Sequence, residues 1–161
     1  MIKKLLTVIL AVIMVMGIST SVFAADDIDI LTPIPPSSIQ TRGANPPSGS
    51  ADIHDLSISS YKYQVDDVGY RVYTSKWLTG ATSMKVTVDN WTLLENHGGT
   101  SNQLTISVFN SSKKEVKSKT ITITRGYGSA TLSGLTSAAK YYVCFEVPTN
   151  SNRYKFNGNI S

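Results

Sequence analysis

One cysteine, two histidines and an arginine near the end of the chain are the residues with which this protein could attempt covalent chemistry. A nucleophile needs a base beside it and a third group that orients the base. The imidazole bases are His54, in Asp52-Ile53-His54-Asp55, and His97, in Glu95-Asn96-His97-Gly98-Gly99. The sole thiol is Cys144. Its neighbours alternate as strand residues do, and free cysteines are commonly buried, so a small apolar side chain packed on a strand is the simpler reading. A reactive thiolate would require a cationic neighbourhood. His97 lies in a glycine-marked loop, and its His-Gly-Gly run has no Gly-x-Ser-x-Gly nucleophile turn to serve. The acidic clusters Asp26-Asp27-Ile28-Asp29 and Asp66-Asp67 lack the spacing of an EF-hand, and no Cys/His set matches zinc. The residues therefore lead us to expect no catalytic role, no metal and no cofactor.

A set of Cys144, His97 and Arg153 on an exported β scaffold resembles the sortase transpeptidases of bacterial surfaces. The sortase strand usually reads Thr-Leu-x-Thr-Cys, whereas this chain reads Lys140-Tyr141-Tyr142-Val143-Cys144 and is short for that barrel. A sortase-like Cys-dependent enzyme is thus an alternative, and a toxin-like or bacteriocin-like effector is another. Binding fits the aromatic residues better. Trp77 follows Tyr73-Thr74-Ser75-Lys76 between two strands, and Tyr127 is flanked by glycines in Arg125-Gly126-Tyr127-Gly128. A loop aromatic can stack on a sugar face while nearby polar groups take the hydroxyls. Trp77, His97 and Tyr127 are the candidate ligand-binding residues, although Trp is so often buried that Trp77 also reads as a plug over the open end of the fold.

The elements that would position them are strands. Eight runs rich in Val, Ile, Thr and Tyr, with Gly, Asn, Asp or Ser between them, cover about 56–65, 70–74, 84–93, 104–110, 116–124, 129–132, 141–147 and 154–160. Met84, Val86 and Val88 alternate, but Trp91 and Leu93 are out of phase, which predicts a bulge near Asp89-Asn90. Asn110 to Lys114 reads as a hairpin loop. Outward Thr120, Thr122 and Thr124 would face Thr105 and Ser107 on a partner strand, as a recognition face or as ordinary wet-face threonines. Lys113, Lys114, Lys117 and Lys119 would guard that edge against aggregation.

Leu135 precedes Tyr141 by six residues, and Tyr141, Val143, Phe145 and Val147 share a strand face. That stretch resembles the tyrosine corner of fibronectin type III and other immunoglobulin-like sandwiches, with Ser137 where those domains usually have Pro. The resemblance implies a tyrosine hydroxyl bonded back to upstream backbone. Seven or eight short strands and no sustained helical period predict an all-β, two-sheet, immunoglobulin-like Greek-key sandwich over residues 53–161.

Ahead of it, residues 1–24 read as a signal peptide: Lys3 and Lys4, an apolar run from Leu5 to Ile18, and Val22-Phe23-Ala24 as a small-residue cleavage site. Residues 25–52 hold five of the six prolines and read as a Pro-rich linker. With a single cysteine, no intramolecular disulfide can form, which suits a bacterial exported protein standing on its core alone. The formal charge of +4 includes Lys3 and Lys4, so the exported chain carries about +2, too little for a nucleic-acid partner. No second apolar run predicts a membrane span after cleavage. The expected function is a secreted, non-catalytic binding module for a carbohydrate, a cell-wall polymer or an extracellular protein.

Overall fold

The computed structural model describes residues 28–31 and 45–161. The expected signal peptide and residues 32–44 of the expected linker lie outside the described residues. Among the described residues there are eleven strands: β1 (Ile28–Leu31), β2 (Ile53–Asp55), β3 (Tyr61–Val68), β4 (Arg71–Tyr73), β5 (Trp77–Thr79), β6 (Ser83–Glu95), β7 (Gln103–Asn110), β8 (Glu115–Thr122), β9 (Gly128–Ser133), β10 (Tyr141–Glu146) and β11 (Arg153–Ile160). They form a five-stranded sheet ordered β1-β3-β11-β6-β9 and a six-stranded sheet ordered β2-β5-β10-β7-β8, with β4 also on β10. The architecture is an all-β sandwich.

Eight strands match the alternating runs in the sequence. The three others, β1, β2 and β5, are three or four residues long and too short to show a period. Within the segment 25–52, Ile28–Leu31 pairs in parallel with β3, Pro47 is buried, and Ala51 packs against Tyr73, Trp77, Tyr142 and Cys144 of the other sheet. The strand expected from Leu56 starts instead at Tyr61. The reason is local. The Asp55 carboxylate accepts the Ser57 N–H at 2.9 Å and its hydroxyl at 2.7 Å, while Ile58 N–H donates to the Asp55 carbonyl at 3.1 Å, so 55–59 curls into a turn.

Alternation drives the sheets together. Met84, Val86 and Val88 on β6, Leu104, Ile106 and Val108 on β7, and Val143 and Phe145 on β10 are all fully buried between the layers, each worth about 1.5–3 kcal/mol of apolar burial. The predicted corner is present: Thr136 N–H donates to the Tyr141 hydroxyl at 2.9 Å. The predicted hairpin is present too, with the Asn110 side-chain carbonyl accepting the N–H groups of Ser112 and Lys114. Gly158 faces inward beside Tyr63, whose phenol passes over it to donate to the Thr87 carbonyl at 2.6 Å. A side chain at 158 would collide with that carbonyl and that phenol. Glycine is required there.

The bulge falls where the phase break predicts it. On β11, Asn157 pairs with Asp89 and Lys155 with Thr92, so Asn90 and Trp91 together stand opposite the single Phe156. Asn90 adopts φ 54°, the left-handed conformation that Asn tolerates better than most residues. The extra residue turns Trp91 inward, where its ring stacks on Phe156 at 5.1 Å and its Nε1 donates to the Ser101 carbonyl at 3.1 Å.

Candidate functional site

Register across the five-stranded sheet builds a row of side chains on its outer face. Ile30 stands opposite Gln64, Gln64 opposite Asn157, and Asn157 opposite Asp89. The row continues to Tyr127. Val88 pairs with Gly128 and Trp91 N–H donates to the Gly126 carbonyl, so Asp89 and Asn90 both face Tyr127 alone. Asn90 stands across from Tyr127 because the same bulge that turns Trp91 inward leaves Asn90 on the surface. Beside the row lies a depression of about 330 Å³ lined by Gln64, Asn90, Lys155, Asn157 and buried Phe156.

The lining is preorganised by short-range bonds. Asn90 Nδ2 donates to Asn157 Oδ1 at 3.1 Å, and Gln64 Nε2 donates to Asp66 Oδ1 at 2.6 Å. These bonds leave the Gln64 side-chain carbonyl, one face of each asparagine amide and the Lys155 ammonium without a partner among the described residues. Such a set can both accept and donate to hydroxyls. Tyr127 is about half exposed, held in a tight turn by paired bonds between its backbone and that of Thr124 at 2.8 and 3.1 Å. Arg125 and Gly126, the central residues, have φ 54° and 80°, as a type I′ turn requires.

The three residues singled out in the sequence fall in different places. Trp77 is buried on the outer face of the six-stranded sheet, rather than over the open end of the sandwich. Its Nε1 donates to the Ser48 carbonyl at 2.7 Å, and its ring meets Tyr142 edge-on at 5.7 Å. With Tyr73, Cys144, Phe109 and Ala51 it makes a second small core. His97 is exposed in the loop after β6, 3.6 Å from a Glu95 carboxylate oxygen. Buried Asn152 holds that loop, accepting the His97 N–H at 2.6 Å and donating to the Gly98 carbonyl at 3.2 Å. His97 thus lies beyond the end of β6, Tyr127 lies beside its middle, and Trp77 is on the other sheet. Of the three, Tyr127 alone joins the row.

Sequence reasoning missed Gln64, Asn90, Lys155 and Asn157. Nothing local signals that β11 lies between β3 and β6, and strand order is what unites them. Of the Cys-His-Arg set, Arg153 and His97 fall near each other at the end of β6, and Cys144 is on the other sheet. Cys144 is buried on the six-stranded sheet, its thiol pushed up to about 12 by burial first and the Glu146 carboxylate second. Arg153 starts β11 on the five-stranded sheet and forks onto the Asp67 carboxylate, Nε donating at 2.8 Å. His54 is spent on the fold, its Nε2 donating to the Ser59 carbonyl at 2.9 Å.

The expected threonine face also exists. Thr105 and Thr120 share a hydrogen bond of 2.8 Å, as do Ser107 and Ser118. A shallower hollow of about 220 Å³ next to them is lined by Gln103, Thr105, Thr120, Glu146 and the turn Val147 to Thr149. Its hydroxyls are engaged with each other, which leaves less for a ligand than the amides of the opposite face. Among the described residues, no three His, Cys, Asp or Glu side chains converge as a metal-binding group would. No protein-family model matches the chain, and no curated protein does.

Proposed function

We propose that this chain is a secreted, non-catalytic binding module that takes a carbohydrate, such as a cell-wall polysaccharide, on the outer face of its five-stranded sheet. The single observation that carries the reading is the row Tyr127, Asp89 with Asn90, Asn157 and Gln64, an exposed ring followed by a carboxylate and planar amides. Sugars present alternating apolar faces and hydroxyl edges. A half-exposed phenol ring offers contact area to the face, and amides and a carboxylate fork onto the hydroxyls. Adjacent sheet strands are about 4.8 Å apart, so these four positions span roughly 14 Å, enough for a short run of sugar units.

Export rests on the basic start, apolar run and small-residue end of residues 1–24, and the extracellular setting supplies wall and surface glycans. Among the described residues no helix is long and apolar enough to cross a membrane. We also read the sandwich as immunoglobulin-like. The Tyr141 hydroxyl on the Thr136 N–H and the sequence around it support that kinship.

Retention on insoluble wall polysaccharide and on immobilised glycans tests the reading. The chain is expected to bind saturably, and Tyr127→Ala and Asn157→Ala are each expected to weaken binding about tenfold or more, the scale of one lost stacking or forked contact. Binding that both variants leave unchanged, or no binding to any glycan, would move the reading to a protein partner.

A further inference from the structure

The first strand has a seat built for it and a thirteen-residue connection to the rest of the chain. β1 lies at the edge of the five-stranded sheet, parallel to β3, with Ile28 opposite Lys62 and Leu31 opposite Val65. Two of its side chains turn inward. Leu31 is fully buried, and the buried Asp29 carboxylate accepts hydrogen bonds from the Tyr61 hydroxyl on β3 and the Ser75 hydroxyl between β4 and β5. Asp29 therefore ties the two sheets together. Burial, reinforced by the Asp29 carboxylate, raises the Tyr61 phenol above its ordinary pKa and keeps it a donor. The slot is selective: it accepts an extended segment, in parallel register, with a carboxylate and an aliphatic side chain two residues apart.

Residues 32–44 connect β1 to Asn45. Thirteen residues can span at most about 45 Å, whereas a folded unit of this size is roughly 35 Å across. The connection is long enough to carry β1 into the same slot of a neighbouring molecule. The surface around the slot suits such a neighbour. Ile28 and Ile30 are half exposed on the outer face of β1. His54 of β2 meets the Tyr61 ring at 5.5 Å, so the β2 edge lies beside the same border, where Ile53 is half exposed and Ile58 is 82% exposed. The opposite border is different: Lys117 and Lys119 occupy the inward register of β8, a device that discourages pairing.

We propose that Ile28–Leu31 is exchanged between two copies of this chain, each copy's β1 filling the β3 edge of the other. An exchanged strand makes the same ladder bonds, the same Asp29 contacts and the same Leu31 burial, so the slot energy does not change and strand exchange is a low-cost route to a dimer. Covering the isoleucines at this border adds to it. The dimer would present two outer faces at once, which raises avidity for any repeating ligand. The exchange stands or falls independently of which ligand those faces take.

Cross-linking decides it. Ile28→Cys and Lys62→Cys, which face each other across the parallel register, are made as separate variants of chain 25–161. The two are mixed, briefly unfolded in urea, refolded together and oxidised. Exchange predicts a disulfide-linked heterodimer on a non-reducing gel, absent from either variant alone, with buried Cys144 common to both as the background. Light scattering of the unsubstituted chain is expected to give twice the chain mass, falling to once when residues 25–31 are removed. A monomer mass, or a dimer mass that survives that removal, overturns the proposal. So does the absence of heterodimer when both substitutions placed in one chain do close a disulfide.

Discussion

The backbone N–H of Thr136 donates to the side-chain oxygen of Tyr141, five residues on, at 2.9 Å. The bond pins the crossing from β9 to β10, because Leu135 beside it is buried in the core and Tyr141 opens the central strand of the six-stranded sheet. Tyr141→Phe keeps the ring and removes the acceptor, leaving a part-buried N–H unpaired. It is expected to cost about 1–2 kcal/mol, read as a lower urea midpoint with an unchanged slope.

Gly158→Ala tests a closer fit. The added methyl would meet the Thr87 backbone carbonyl and the Tyr63 hydroxyl that bonds to it. Backbone cannot swing aside as a side chain can. A loss of about 3 kcal/mol is expected, against less than about 0.5 kcal/mol for Asn159→Ala one residue further along on the outer face. Equal urea midpoints for the two variants would contradict the close approach of Gly158 to the Thr87 carbonyl.

Trp77 was a reasonable binding candidate from sequence, and its place in the fold changes what its removal should do. Its ring fills the second core against Tyr142, and its Nε1 fastens the Ser48 carbonyl over that core. Trp77→Ala is expected to cost about 3–5 kcal/mol, visible as a large drop in thermal midpoint. Tyr127→Ala, by contrast, should change stability by no more than about 0.5 kcal/mol while weakening glycan retention. Circular dichroism melts of the two variants side by side separate a structural ring from a ligand-facing one.

Most of the sandwich could be read from alternation, since Met84, Val86 and Val88 or Leu104, Ile106 and Val108 state their faces locally. The bulge was legible for the same reason: Trp91 and Leu93 break the phase, and one inserted residue restores it. β1 was not legible, because four residues among prolines show no period and their place is fixed by Tyr61, Ser75 and Val65 far along the chain. The site divides in the same way. Tyr127 announced itself by its flanking glycines, whereas Gln64, Asn90 and Asn157 become neighbours through strand order, a property of the assembled sheet.

Cys144 gives a prediction with a definite sign. Burial raises the thiol from an ordinary value of 9.0 to about 12, with the Glu146 carboxylate adding to the shift and Arg71 offsetting part of it. At pH 8 a shift in that direction leaves far less thiolate in the folded chain, so native-state labelling should be orders of magnitude slower than labelling in urea. Linkage follows from the same shift. Below pH 9 both the folded and unfolded chains keep the proton, and the contribution to stability is full. Between pH 9 and about 12 the unfolded chain has released it while the folded chain retains it, so stability falls as pH rises through that window. The Tyr73 phenol, raised to about 12 chiefly by burial, acts in the same direction from pH 10 upward. Urea midpoints measured from pH 8 to 11 should therefore decline, and Cys144→Ala should flatten the first part of that decline. A midpoint that holds constant to pH 11, or native labelling as fast as unfolded labelling, would place the thiol in solvent rather than against Tyr73 and Trp77.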